Sequence, residues 1–219
     1  MQHKVPWKSV SAGAAAATAT LVACDLALRP WFLRWGATRE ELARTWPGDE
    51  LCPDAASVAT RGLTIHAPVD EVWPWLVQIG QDRGGFYSYT WLENLAGAQI
   101  HNADRLLRVS PREVGDTVWM APPERYGGQG CMKVAQVEPE RALVLVSPED
   151  FDALQEEGGR AAEGTWAFIL SPVDKKITRL IVRSRSGPKA GAGRFLLFDP
   201  IHFVMERKMM LGIRDRAEA

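Results

Sequence analysis

Five strand-like segments follow one another from Gly115 to Ser186, and one long helix-forming segment closes the chain. The segments are "GDTVWMAP" (Gly115–Pro122), "CMKVAQVEP" (Cys131–Pro139), "RALVLVSP" (Arg141–Pro148), "TWAFILSPV" (Thr165–Val173) and "TRLIVRSRS" (Thr178–Ser186). Each is rich in β-formers and carries turn punctuation. "EPER" joins the second to the third, and "DKK" joins the fourth to the fifth. Connections this short return a chain antiparallel to itself, because a parallel neighbour needs a crossover of about a dozen residues or more. The end, "FLLFDPIHFVMERKMMLGIRDRAEA", predicts one long helix from Pro200, with Phe203, Val204, Met210 and Leu211 near helical spacing.

Ahead of the strands, "ATRGLTIHAP" alternates and predicts a further strand ending at Pro68. "PVDEVWPWLVQIG" has early acidic and later apolar residues, a helix start. Pro74 would be tolerated only in its first turn. The order is strand, two short helices, a run of antiparallel strands and one long helix. This is an α+β fold rather than alternating βαβ. A long helix laid on a curved antiparallel sheet encloses a cavity, a natural small-molecule site.

Between the first strand and the run lies "GGFYSYTWLENLAG" (Gly84–Gly97). Thr90 and Glu93 form a T-x-x-E capping-box pattern. It predicts a helix starting at Trp91 and stopping near Gly97, with Trp91, Leu92, Leu95 and Ala96 as its buried face. "FYSY" before the cap is expected to be extended, with Tyr87 and Tyr89 on one side and Phe86 and Ser88 on the other. Tyr87 and Tyr89 are the expected ligand contacts, with Asn94 and His101 nearby.

Hydrophobic residues make up 46% and charged residues 24% of the chain, the balance of a globular protein. Net charge is −1 and no lysine- or arginine-rich run occurs, so nucleic-acid binding has no electrostatic support. Nine tryptophans is a surplus for this length. Buried indoles need a partner for their N–H, so the surplus points to cavity walls or a membrane interface as well as core. Cys24, Cys52 and Cys131 lack the close pairs of a structural zinc site. Their odd number argues against a complete disulfide framework, although Cys52 and Cys131 could pair if Cys24 had a separate fate. Neither a metal nor a cofactor is expected.

Residues 1–35 read as a separate unit. After the basic "MQHKVPWK", no charge occurs from Ser9 to Cys24. Ser9 through Leu28 is about the length a bilayer-crossing helix needs, ~20 residues, with Trp7 before it and Trp31 and Trp35 after it as interfacial aromatics. Asp25 counts against a full span, and lysines and arginines on both flanks leave its orientation unfixed. An export signal fits the same stretch, and "LVAC" (Leu21–Cys24) resembles a lipoprotein cleavage box. An alanine-rich helix packed on the domain is the third reading. The expected location is therefore membrane-associated through the N-terminus, with export or a cytoplasmic protein as alternatives. Residues 36–54 read as a linker in which Thr38 and Glu41 form a capping box, predicting a short helix from Arg39 to Arg44; "PGDELCPD" is loop.

Residues 55–219 carry a family resemblance. "RGLTIHAPVDEVWPWLVQIGQDRGGFYSYTWLENLAGAQIHNADR", the strands after it and "FDPIHFVMERKMMLGI" resemble the SRPBCC superfamily. This is the START-like or helix-grip fold shared with birch-pollen-allergen proteins and polyketide cyclase/dehydrase-like proteins. "APVDEVWPWL" resembles the superfamily's entry into its first helix. "GGFYSYTWLENLAG" and "IHNADR" resemble a bacterial branch that often carries an N-terminal hydrophobic segment. The resemblance implies a curved antiparallel sheet wrapped around the C-terminal helix, with two short helices after the first strand. It implies no catalytic set, because the superfamily holds lipid carriers, hormone receptors, cyclases and members with no assigned reaction.

Few residues offer chemistry. His3 belongs to the basic tail and His66 ends a strand. His101 in "IHNADR" has Asp104 close by, and a carboxylate could make it a general base; a loop held by local Asn and Asp hydrogen bonds is the alternative. His202 and Glu206 stand i, i+4 on the final helix, a simple pair rather than two ligands of a metal. Arg179, Ile181, Arg183 and Arg185 share one strand face, where the arginines are either solvated or, if inward, selective for an acidic ligand. Trp166, Phe168 and Leu170 share a face that is core or pocket wall. "PEDFDALQEEGGRAAEG" predicts a short helix and a loop, and "GPKAGAGR" a connection lacking phosphate-loop order. No nucleophile elbow occurs.

The expected function is binding of a small hydrophobic molecule or lipid in an internal cavity, with Tyr87, Tyr89, Asn94, His101, Trp166, Phe168 and His202 as contacts. One alternative is a cyclase- or dehydratase-like enzyme using a polar group in that cavity. The other is a membrane-tethered interaction domain.

Overall fold

Six strands pair in the order β1-β6-β5-β4-β3-β2, and every neighbouring pair is antiparallel. They are β1 (Ser57–Ile65), β2 (Thr117–Trp119), β3 (Cys131–Glu138), β4 (Ala142–Val146), β5 (Gly164–Asp174) and β6 (Ile177–Ser186). The two edge strands β1 and β2 do not meet, so the curved sheet stays open. The helices are α1 (Arg39–Ala43), α2 (Val69–Val77), α3 (Thr90–Leu95), α4 (Pro148–Gln155) and α5 (Ala192–Ala217). The computed structural model describes residues 27–95, 97–188 and 192–219, with the backbone alone over 192–198.

The α+β helix-grip arrangement expected from the sequence is therefore present, with α2 and α3 between β1 and the remaining strands. Two proline expectations are corrected. α5 begins at Ala192 rather than at Pro200, and Pro74 lies in the second turn of α2 rather than in its first. A proline removes one N–H from the ladder; here both helices continue through that gap.

One face of the sheet packs against α2 and α5. Val72, Trp75 and Leu76 of α2 and Met209, Met210 and Ile213 of α5 join Leu143, Leu145, Phe168 and Leu180 in one core. Gly212 makes that packing close. A Cβ there would lie 2.5 Å from the Tyr87 carbonyl oxygen, so the helix backbone rests directly on the loop before α3.

The other face is covered too, by the segment before β1. Trp46 and Leu51 pack on Val144, Ala167, Ile169 and Ile181. Gly48, at φ +89°, sits so near the sheet that a Cβ would meet Val144 at 2.7 Å. This explains why β4 is buried at every residue, as an unbroken apolar run requires when both faces are covered. In α1 the expected capping box forms: the Glu41 N–H donates to Thr38 Oγ1 at 3.2 Å and the Thr38 N–H donates to Glu41 Oε2 at 2.8 Å.

Arg179 and Arg183 of β6 are neither solvated nor aimed at a ligand, which corrects both expectations for them, whereas Arg185 also lines the cavity between the sheet and α5. All three grip the preceding segment. Arg183 pairs with Asp49 through Nε at 2.7 Å and Nη2 at 3.0 Å. Arg179 holds both Glu41 carboxylate oxygens, at 2.7 and 3.0 Å, and also the Gly36 carbonyl. Arg185 donates to the carbonyls of Cys52 and Pro53 at 2.8 and 3.0 Å.

Cys52 and Cys131 are free thiols, which corrects the possible pairing; burial pushes both above the ordinary thiol range. Among the described residues no helix is long and apolar enough to cross a membrane. Most of the Ser9–Leu28 stretch, Cys24 included, lies outside the described residues, as do Ala96 and the centre of "GPKAGAGR".

Candidate functional site

Between the sheet, α5 and the loop around α3 lies a cavity of about 550 Å³. Phe86, Ile100, Met120, Met132, Met205 and Met209 supply apolar wall. Trp166 of β5 stands in the same wall, stacked on Phe86 at 6.2 Å and resting on Phe168 at 4.7 Å.

Polar side chains interrupt this surface, Asp150, Glu163, Arg185 and Asp199 among them, and two constellations are deeply buried. The first is built on Arg61. In β1, Ser57, Ala59 and Arg61 share the inward face and line the cavity, so alternation places a guanidinium on a face that Ala59, Leu63 and Ile65 make largely apolar. Arg61 is 1% exposed. Its Nη1 pairs with Glu206 Oε1, and its Nε donates to the Phe32 carbonyl at 2.8 Å. Glu206, on α5, accepts from Trp166 Nε1 at 2.8 Å through its other oxygen. His202 Nε2 lies 3.5 Å from that oxygen. Burial pushes the Glu206 carboxyl up, but Arg61, His202 and the two hydrogen bonds outweigh it and hold it below the ordinary carboxylate range.

The second is Glu93. The expected capping box at Thr90 does not form. Thr90 Oγ1 accepts from Asn102 Nδ2 at 3.0 Å, the Glu93 N–H donates to the Tyr89 carbonyl at 3.0 Å, and α3 starts at Thr90 itself. The helix is also turned the other way from expectation: Trp91 is 67% and Leu95 79% exposed, whereas Glu93 is 5% exposed and lines the cavity. Glu93 Oε2 is buried without a hydrogen-bond partner. Burial pushes its carboxyl up to about 7.

Of the seven residues singled out in the sequence, Trp166 and His202 line the cavity. The "FYSY" stretch presents its Phe86 and Ser88 side to the cavity and turns Tyr87 into the core. The Tyr87 hydroxyl donates to the Trp75 carbonyl at 3.1 Å, its ring packs edge-on against Trp75, and burial pushes its phenol up to about 12. Tyr89 is half-buried away from the wall. Asn94 brackets Ile100, donating to its carbonyl and accepting from its N–H. His101 is exposed on its loop. Phe168 is fully buried behind Trp166.

Asn102, rather than His101, is the working residue of "IHNADR". Its Oδ1 accepts from the Phe86 and Tyr87 N–H groups at 3.1 and 2.6 Å, and its Nδ2 donates to the Ser88 carbonyl at 3.0 Å as well as to Thr90. This fixes the loop with Tyr87 at φ 57°, a conformation uncommon outside glycine. Asn102→Ala leaves these groups unpaired and is expected to lower stability by about 2 kcal/mol, measured by urea denaturation.

Reasoning from sequence missed Arg61 and Glu93. A charged residue on the apolar face of "ATRGLTI" was the available signal for Arg61. Glu93 carried none, because its spacing from Thr90 imitates a cap. Among the described residues no group of three metal-ligating side chains converges.

Neither a family model nor a curated protein matches the sequence. Solved structures give distant likenesses. A conserved protein of unknown function from Enterococcus faecalis is 12% identical at a TM-score of 0.43, over 74% of this chain and 71% of that one. A protein from Nitrosomonas europaea is 13% identical at 0.42, over 74% and 94%. The di-domain ARO/CYC protein BexL of the BE-7585A biosynthetic pathway is 14% identical at 0.42, over 74% of this chain and 46% of that one.

Proposed function

We propose that this protein binds a small, largely apolar molecule inside its cavity, as a START-like member of the SRPBCC superfamily. One observation carries the reading: a partly open, largely apolar space of about 550 Å³ between sheet and long helix, within the range of small-molecule sites. The strand and helix order and the sequence resemblance support the superfamily assignment.

The test is titration with the apolar fluorophore N-phenyl-1-naphthylamine, followed by its emission and by quenching of tryptophan fluorescence. Saturable binding at one site is expected. Met132→Trp, which fills wall space with an indole, is expected to weaken that binding about tenfold or more, about 1.4 kcal/mol, with little change in thermal melting. Absence of saturable binding, or undiminished binding by Met132→Trp, would sink the reading.

An enzyme of the cyclase or dehydratase kind is the second reading. It is favoured by two carboxyl groups in one cavity shifted in opposite directions, Glu93 up and Glu206 down, the pattern that separates an acid from a base. Turnover of a candidate substrate abolished in Glu93→Gln, with binding retained, would decide for it.

For the N-terminus we propose a membrane tether or export signal over Ser9–Leu28. An intact residue 1 in the mass spectrum of protein from its own host would remove the cleaved and lipidated forms.

A further inference from the structure

We infer that Glu93 is the polar anchor of the cavity and holds, as a neutral carboxylic acid, the carbonyl oxygen of an otherwise apolar ligand. This deepens the proposed binding function and rests on it.

Glu93 lies in the cavity wall and is 5% exposed, and Oε2 has no partner. A buried polar atom without a hydrogen bond is costly, and a ligand that hydrogen-bonds to this carboxyl recovers part of that loss on binding. Which ligand group fits follows from the surroundings. The other titratable groups on the wall are Arg61 on β1, Asp150 on α4, Glu163 before β5, Arg185 on β6, and Asp199, His202 and Glu206 on α5. Arg125 lies against Gly97 just after α3. None of them supplies a charge interaction with Glu93, and burial is the sole cause of its shift. Arg61 is committed to Glu206 and the Phe32 carbonyl, and Arg185 to the Cys52 and Pro53 carbonyls.

Glu93 therefore carries its proton up to about neutral pH and offers an O–H donor. Ala98, whose N–H donates to the Glu93 carbonyl, and Ile100 line the same wall and are apolar. A donor in an apolar wall selects a neutral acceptor. A cationic ligand would have to bring a charge into the same apolar space, at far greater desolvation cost. A ketone, ester, lactone or quinone carbonyl on a hydrocarbon or aromatic frame meets the requirement.

The experiment compares two probes of similar size on the whole chain. Prodan, a naphthyl ketone, shifts its emission to longer wavelength when its carbonyl accepts a hydrogen bond. N-phenyl-1-naphthylamine has no carbonyl. Wild-type protein is expected to bind Prodan with shifted emission at about pH 6, and to bind it about tenfold more weakly at about pH 9, as the carboxyl ionises through about 7. Glu93→Gln keeps a donor in its amide N–H, so its Prodan affinity is expected to stay level across that range. Glu93→Leu is expected to lose the shifted emission and about tenfold in Prodan affinity, while binding N-phenyl-1-naphthylamine at least as well as wild type. Circular dichroism melts establish that both variants are folded.

Unchanged Prodan affinity and emission in Glu93→Leu would overturn the inference, and so would wild-type Prodan affinity that is level or rising with pH. Binding of N-phenyl-1-naphthylamine without Prodan would overturn it while leaving the cavity reading intact. Failure of both probes to bind would overturn the cavity reading and this inference with it.

Discussion

Arg61→Met is expected to lower the unfolding free energy by about 3–5 kcal/mol, because it leaves a buried carboxylate without its counter-charge. Glu206 keeps the Trp166 N–H and the nearby His202 but loses the guanidinium. The Phe32 carbonyl loses its donor as well. Arg61→Met/Glu206→Leu removes the stranded charge and is expected to recover most of the loss, since replacing both members of a buried pair is often near neutral. Urea denaturation of the two single variants and the double variant gives the coupling directly. A single-variant loss below about 1 kcal/mol would place the pair among weak surface bridges. Acid gives an independent check. The Glu206 carboxyl is held below its ordinary value in the folded state. Its contribution is therefore present above the unfolded pKa and is lost as pH falls through the folded one. Arg61→Met is expected to blunt that acid loss.

Glu93→Gln is expected to flatten the opposite limb of the pH–stability curve. The Glu93 carboxyl sits near 4.5 when unfolded and about 7 when folded, so between those values the native state binds more protons. Stability contributed by the neutral form is complete below about 4.5 and is lost as pH rises through about 7. Over that window wild type is expected to lose on the order of 3 kcal/mol from this one group. The glutamine variant loses none of it, and is therefore the more stable protein at alkaline pH and a comparable one in acid. Thermal melts of both proteins across the range test this, and parallel curves would show that Glu93 is solvated when ionised.

Much of the fold is legible in the sequence because its signals are local. "EPER" and "DKK" are too short for anything but antiparallel returns, and the unbroken "ALVLV" fits a strand covered on both sides. Helix ends were harder. Pro74 and Pro200 mark missing donors, and only packing decides whether a helix continues past them. The candidate site was legible in outline, through Trp166 and His202, and misleading in detail. In "TWLENL" a threonine three residues before a glutamate reads as a cap, yet Asn102, twelve positions on from Thr90, takes the hydroxyl and frees Glu93 for the cavity. "FYSY" divides into two sides as its alternation suggests. Which side faces the cavity is set by Asn102 and by the approach of Gly212, contacts that no window of sequence contains.

The arginine grip of β6 on the segment before β1 also bears on how the chain assembles. Glu41 and Asp49 meet partners 138 and 134 positions further along. On a ribosome this segment emerges well before β6, with Trp46 and Leu51 having no complete sheet to cover until β6 has been made. Local hairpins such as β3–β4 and β5–β6 can form as they appear, whereas contacts of such long separation are slow to close. The piece synthesised ahead of the sheet is thus among the last to dock. For that interval its indole is surface for a chaperone to hold.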